Sequence, residues 1–182
     1  RIEYLDGNEK LSHSNLAFFV EPGKRLGKRI GKRKLKLEET SAKYLKSEHL
    51  NLISLYQLML GNTDWSATHG GTGECCHNGK LYGEADADDN LFIPYDFDMT
   101  GLVSPEYATY DKALKLESIR ERRYRGYCRN NDKLAFNIAK LNDKKREIMG
   151  LFEETPHLKA SQKKRSMRYI EKFYRLINDS AR

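Results

Sequence analysis

The sequence predicts an α+β fold, mostly helical, in which a small β-hairpin carries the residues able to do chemistry. Three observations predict it. From Leu50 to Leu60 only Asn51, Ser54 and Gln57 are polar, the pattern of a helix buried on most of its sides. Residues 134–152 and 167–177 repeat apolar side chains at helical spacing, as amphipathic faces against a core. Between these regions, "KLY" and "LFIPYDF" read as two short strands joined by the acidic turn "GEADADDN".

The chain has 182 residues, enough for one domain or one large lobe of a bigger one. Hydrophobic residues make up 38% and charged residues 32%, which fits a folded protein rather than a disordered one. No apolar run approaches the about 18 residues that a membrane-spanning helix needs. The chain opens on Arg1 with no signal-like segment, so a fragment or a trimmed product of a longer chain is expected.

In chain order, residues 1–22 read as extended structure. "NLAFFVEP" is an apolar run closed by Pro22, as for a buried strand. Next, "PGKRLGKRIGKRKLK" places eight Lys or Arg between Lys24 and Lys36 with no acid among them, within a formal net charge of +7. Such a run suits an anionic partner (nucleic acid, an acidic membrane or a phosphorylated ligand), and equally a solvated helix face. Glycines at 23, 27 and 31 each cost a helix about 1 kcal/mol relative to alanine, so the segment must lean on a neighbour through Leu26 and Ile30. A central helix is expected over 38–60, ended by Gly61 as its C-cap. Loops fill 61–101. The remainder, 105–182, is expected to be helical, with apolar positions at 134, 138, 141, 148 and 152 and at 167, 170, 173, 174 and 177.

"GNTDWSATHGGTGECCHNGK", at 61–80, gathers Asp64, His69, Cys75, Cys76, His77 and Asn78 among glycines. Zinc fits poorly, because Cys75, Cys76 and His77 are contiguous, whereas structural sites use ligand pairs spaced by about two to four residues. A cysteine nucleophile beside His77 requires tertiary structure to bring the base to the sulfur. The three cysteines allow one bridge, and Cys128 with Cys75 or Cys76 is expected over a vicinal pair. Asp86, Asp88 and Asn90 resemble the start of a calcium loop, but Leu91 and Phe97 stand where that loop needs glycine and glutamate, so an EF-hand is rejected.

Phosphoryl transfer fits better. It needs a carboxylate to orient or deprotonate the acceptor, and oxygen ligands to hold Mg²⁺ against the phosphates. Asp64, Asn78 and Asp96 supply this set in order, around a buried helix and a hairpin. Taken singly, each also suits a turn cap or a surface charge.

The segments "FFVEP", "GNTDWS", "CCHN", "PYDFDMTGLV" and "RERRYRGYC" together resemble an uncharacterised group of bacterial CotH-like proteins of the atypical protein-kinase-like superfamily, with HipA-type kinases more distant. The resemblance covers most of residues 14–130. It implies the C-lobe of a kinase-like fold, with an N-lobe expected upstream of Arg1, and an ATP- and Mg²⁺-dependent phosphotransferase acting on a protein or small molecule. It implies Asp64 as the catalytic base, Asn78 and Asp96 as metal ligands and Asp98 as a second carboxylate ligand. Phe19, Val20 and Glu21 would be the hinge that meets adenine, and Lys24 to Arg33 the first helix of the lobe. Typical kinases place the aspartate and asparagine about five residues apart; here they are fourteen apart, so an insertion carries the glycine-rich loop. Arg120, Arg122, Arg123 and Arg125 follow the acidic motif, placed to pair Asp98, to bind an acidic substrate, or to form an ion-pair network. Many members of the group are exported, which implies an exported or periplasmic setting. Two other readings stand beside this one: a kinase-like protein without turnover, and a basic module for nucleic acid or another polyanion.

Overall fold

A computed structural model describes residues 2–15, 17–71 and 73–179. Helix accounts for 41% and strand for 15%, so the fold is α+β, as expected, with more helix than strand. The chain divides into two compact units, Arg1–Arg33 and Lys34–Arg182. Among the described residues no helix is long and apolar enough to cross a membrane.

The smaller unit contains a hairpin of β1 (Ile2–Leu5) and β2 (Leu11–Asn15), antiparallel, with Glu3 opposite Ser14. Asp6 shapes its turn by accepting from the main-chain N–H groups of Asn8 and Lys10. The buried strand expected over "NLAFFVEP" is not formed. Residues 17–22 have no regular structure, and Phe18 and Phe19 are 86% and 100% exposed. No strand pairs with this segment among the described residues, and Pro22 lacks an N–H to give to a ladder. Within the expected hinge, Glu21 is held by Arg29, 2.7 Å away, which keeps its carboxyl below the usual range. The basic segment is helical: α1 spans Gly23–Ile30, and Gly31 closes it at φ +68°. Leu26 and Ile30 are half-buried and Gly27 buried.

The two-residue strand β3 (Arg33–Lys34) straddles the division between the units. In the larger unit the central helix, α2, spans Ser47–Leu60 and so starts later than expected. The residues before it are occupied elsewhere. A short 3-10 turn covers Ala42–Tyr44, and Tyr44 O and Lys46 N bond to Asn90 in the acidic turn. Asn51, Ser54 and Gln57 are all buried, which confirms a helix surrounded on most sides. Asn51 satisfies itself by donating to Tyr124 Oη and Asn130 O and by accepting from Asn137.

The predicted strands are β4 (Gly79–Gly83) and β5 (Leu91–Pro94), antiparallel with Gly79 opposite Pro94. Helices resume only after a long irregular stretch. They are α3 (Leu134–Asp143), α4 (Lys145–Glu154) and α5 (Ala160–Ile177). The expected single helix over 134–152 is therefore two, broken at Lys144. The helix expected from 105 is replaced, up to residue 133, by loops and short 3-10 turns. The predicted apolar faces are nonetheless the inward ones. Leu141, Ile170, Phe173 and Tyr174 join Leu55, Leu58, Met59 and Leu60 of α2 in one apolar cluster. The other end of α2 meets a second cluster, in which Trp65 stacks on Phe92 beside Leu45, Leu50, Leu81, Cys75 and Cys76. The loop at the C-terminus of α2 leaves one cluster and enters the other.

Candidate functional site

The site is built on the abrupt end of α2. Gly61 takes φ +65°, a left-handed conformation that favours glycine, and the N–H groups of Gly61 and Asn62 return to the carbonyls of Leu58 and Gln57. Arg122 satisfies further carbonyls at this end, donating to Leu58 O and Met59 O, where a cation also suits the helix dipole. Asn62 then accepts from Asp64 N through its side chain, at 2.9 Å, and so turns the chain. Arg125 grips the carbonyls on either side of Asp64, Thr63 O at 2.6 Å and Trp65 O at 2.7 Å.

Two cross-links bring the later motifs to this loop. Asn62 and Thr100 form an antiparallel bridge, with Gly101 N donating to Gly61 O. At the hairpin end, Tyr95 N donates to Asn78 O. Asp96 and Asp98 thus lie on a short segment held at Tyr95 against Asn78 and at Thr100 against Asn62.

Asp64 is saturated with partners. The Asn78 amide nitrogen donates to both its main-chain oxygen and its Oδ2, each at 2.8 Å. His77 Nε2 lies 2.7 Å from Oδ1; a carboxylate oxygen can only accept, so this ring nitrogen carries the proton. Asn78 takes φ +54°, a conformation asparagine tolerates better than most residues. With its nitrogen committed, its Oδ1 has no donor among the described residues. Asp98 accepts from Tyr107 Oη at 3.2 Å.

The alternatives for the glycine-rich loop are closed by its own bonds. Cys75 and Cys76 are joined by a vicinal disulfide across a cis peptide, so the bridge expected to Cys128 is absent, and Cys128 is free and exposed. Both sulfurs sit inside the Trp65–Phe92 cluster, whereas Cys128 belongs to an exposed turn. His69 bonds Thr68 and His77 bonds Asp64, so neither faces the sulfurs as a zinc ligand or a base. Asn90, once considered with Asp86 and Asp88, is buried and spends its side chain on Glu84 N and Ala87 O.

No family model, curated protein or solved structure matches the chain.

For a divalent cation, the oxygens in this region are Asn78 Oδ1 and the carboxylates of Asp96 and Asp98. Among the described residues no group of three His, Cys, Asp or Glu is placed to hold a metal ion. Mg²⁺ takes one or two carboxylates and completes its shell with water and phosphate oxygens, so it would need fewer protein ligands than such a group. Asn78 Oδ1, without a donor among the described residues, is an oxygen open to a ligand.

The arginines donate chiefly to main-chain carbonyls. Among the described residues, none of the four pairs Asp98 or joins an ion pair. Arg120 donates to Gly101 O, Arg123 to Leu114 O, and Arg122 and Arg125 to the carbonyls already named. They replace a regular backbone ladder across the irregular stretch. His77 was missed as a partner of Asp64; thirteen residues separate them, a distance no spacing rule covers.

Proposed function

We propose that the chain is the C-lobe of a CotH-like kinase fold and that it transfers phosphate from Mg-ATP to a protein or small-molecule hydroxyl. One observation carries the reading: Asn78 holds Asp64 by two hydrogen bonds, so the presumed base and the presumed amide ligand form one unit despite the long spacer. Asp64 orients the acceptor hydroxyl and takes its proton. His77 occupies Oδ1 and is the group the acceptor displaces. Asn78, Asp96 and Asp98 would hold the cation, which when bound neutralises charge on the phosphates. Arg125 keeps the Asp64 backbone fixed through the two flanking carbonyls, so little reorganisation accompanies reaction.

The experiment is transfer of labelled γ-phosphate to the chain itself or to a panel of protein acceptors, with Mg²⁺ and with chelator. The reading expects Mg²⁺-dependent label that Asp64→Asn abolishes. Label of equal extent in Asp64→Asn would remove the assignment.

A further inference from the structure

A second feature of the larger unit is unrelated to Asp64. Between α5 and the segment carrying Arg120 lies a cavity of ≈ 290 Å³ lined by Arg120, Arg122, Arg165, Arg168, Tyr169 and Lys172. Five of the six are cations. Among the described residues, no ion pair joins a carboxylate to any of them.

The arrangement is prepared rather than incidental. Arg165, Arg168 and Lys172 fall at i, i+3 and i+7 of α5, on one face, where like charges repel. Arg122 lies 3.7 Å from the Tyr169 ring centroid and Arg120 4.7 Å from it. Both are anchored by carbonyls: Arg120 to Gly101 O, and Arg122 to Tyr169 O at 2.7 Å. Burial pulls both guanidinium groups below the usual arginine value, and the charge of Arg165 adds to this at Arg120. Converging cations without a counter-charge are stabilised by an anion. Guanidinium groups fork onto phosphate oxygens, and the cavity sits at the small end of the about 300–1,000 Å³ of ordinary ligand clefts. It therefore suits one phosphate group and a few attached atoms, not the length of a polyanion.

We infer that this cavity is a binding site for a phosphate dianion, free or carried as a monoester. Asp64, Asn78 and Asp96 do not line it, so the inference stands without the phosphotransfer reading. Tyr169 and Arg120 nonetheless connect it to the loop ends that carry Asp64 and Asp98, since Tyr169 Oη donates to Arg120 O and the Arg120 side chain holds Gly101.

The test is calorimetric titration of the intact chain with inorganic phosphate, O-phosphoserine and a phosphoserine peptide, alongside heparin. The expected result is saturable one-to-one binding of at least one phosphate probe. It should weaken at least tenfold in the Arg165→Gln/Arg168→Gln double variant and stay unchanged in Lys24→Gln/Lys28→Gln. The altered side chains are exposed, and an unchanged melting curve without phosphate checks the fold. Preference for the peptide assigns the phosphate to a modified side chain, and equal binding of inorganic phosphate assigns it to a free small anion; both support the site. Absence of phosphate binding, binding of heparin alone, or equal weakening in the Lys24/Lys28 variant overturns it.

Discussion

The Asn78 amide nitrogen donates to Asp64 twice, to its main-chain oxygen and to Oδ2, both at 2.8 Å. The asparagine thereby fixes the carboxylate and turns its own Oδ1 away from it. Because Asn78 sits at φ +54°, the backbone and the side chain can be tested separately. Asn78→Gly keeps the left-handed conformation and removes only the amide. It should fold, and lose Mg²⁺-dependent phosphotransfer by at least about tenfold, the effect of about 1.4 kcal/mol. Asn78→Ala adds the left-handed strain of about 1–2 kcal/mol, visible as a lower denaturation midpoint than Asn78→Gly. Equal stability of the two variants would contradict the backbone argument.

His77 and Asp64 separate two roles for the same contact. If the acceptor displaces the imidazole, His77→Ala leaves phosphotransfer within a few-fold of wild type, whereas Asp64→Asn costs about 10²–10⁴-fold, the range for a general base. A loss in His77→Ala as large as in Asp64→Asn would show that the proton passes through the imidazole instead.

Arg125 spans Thr63 O and Trp65 O with one guanidinium. A lysine ammonium on a flexible stem does not reproduce this rigid fork, so Arg125→Lys is not conservative. Two carbonyls lose a charged donor, and a destabilisation of about 1–3 kcal/mol is expected by urea denaturation. Activity should fall further than stability predicts, because the backbone that loosens is the one carrying Asp64.

His49 gives a pH prediction. Its Nε2 donates to Phe92 O at 2.8 Å, and burial, aided by Lys46, pulls its pKa below the ordinary histidine value. Folding therefore favours the neutral ring. As pH falls below about 6.5 the unfolded chain takes up this proton while the folded chain resists, so stability declines. The decline ends once pH passes the depressed folded value. Stability at a series of pH values should show His49→Gln losing less than wild type between about pH 7.5 and about pH 5, the span of histidine titration. Parallel curves would contradict the assignment.

What the sequence made legible follows from period and punctuation. Asn51, Ser54 and Gln57 every third residue, followed by Gly61, mark α2 and its end because both signals are local. The hairpin over β4 and β5 was visible for the same reason. The start of α2 was not, since Tyr44 and Lys46 are claimed by Asn90, a contact made only on folding. The "NLAFFVEP" run read as a buried strand because hydrophobicity was taken for burial; without a pairing strand those side chains stay exposed. The placing of Asp64 just after α2, and of Asn78 and Asp96 at the two ends of the hairpin, was visible in the residues themselves. Their cross-links were not, nor was the capture of carbonyls by Arg120, Arg122 and Arg125, because which acceptor an arginine finds depends on the tertiary path. The vicinal disulfide was passed over for a longer bridge, since nothing local revealed that both sulfurs enter the Trp65 cluster.

The central proposal is that Asn78, Asp96 and Asp98 would hold Mg²⁺, which would supply charge neutralisation at nucleotide phosphates. Its most direct measurement is calorimetric titration of ATP into the chain with and without Mg²⁺, for wild type and Asp96→Asn. The account predicts Mg²⁺-dependent binding that the substitution weakens at least tenfold. Nucleotide affinity that is the same in both proteins, or indifferent to Mg²⁺, would contradict it.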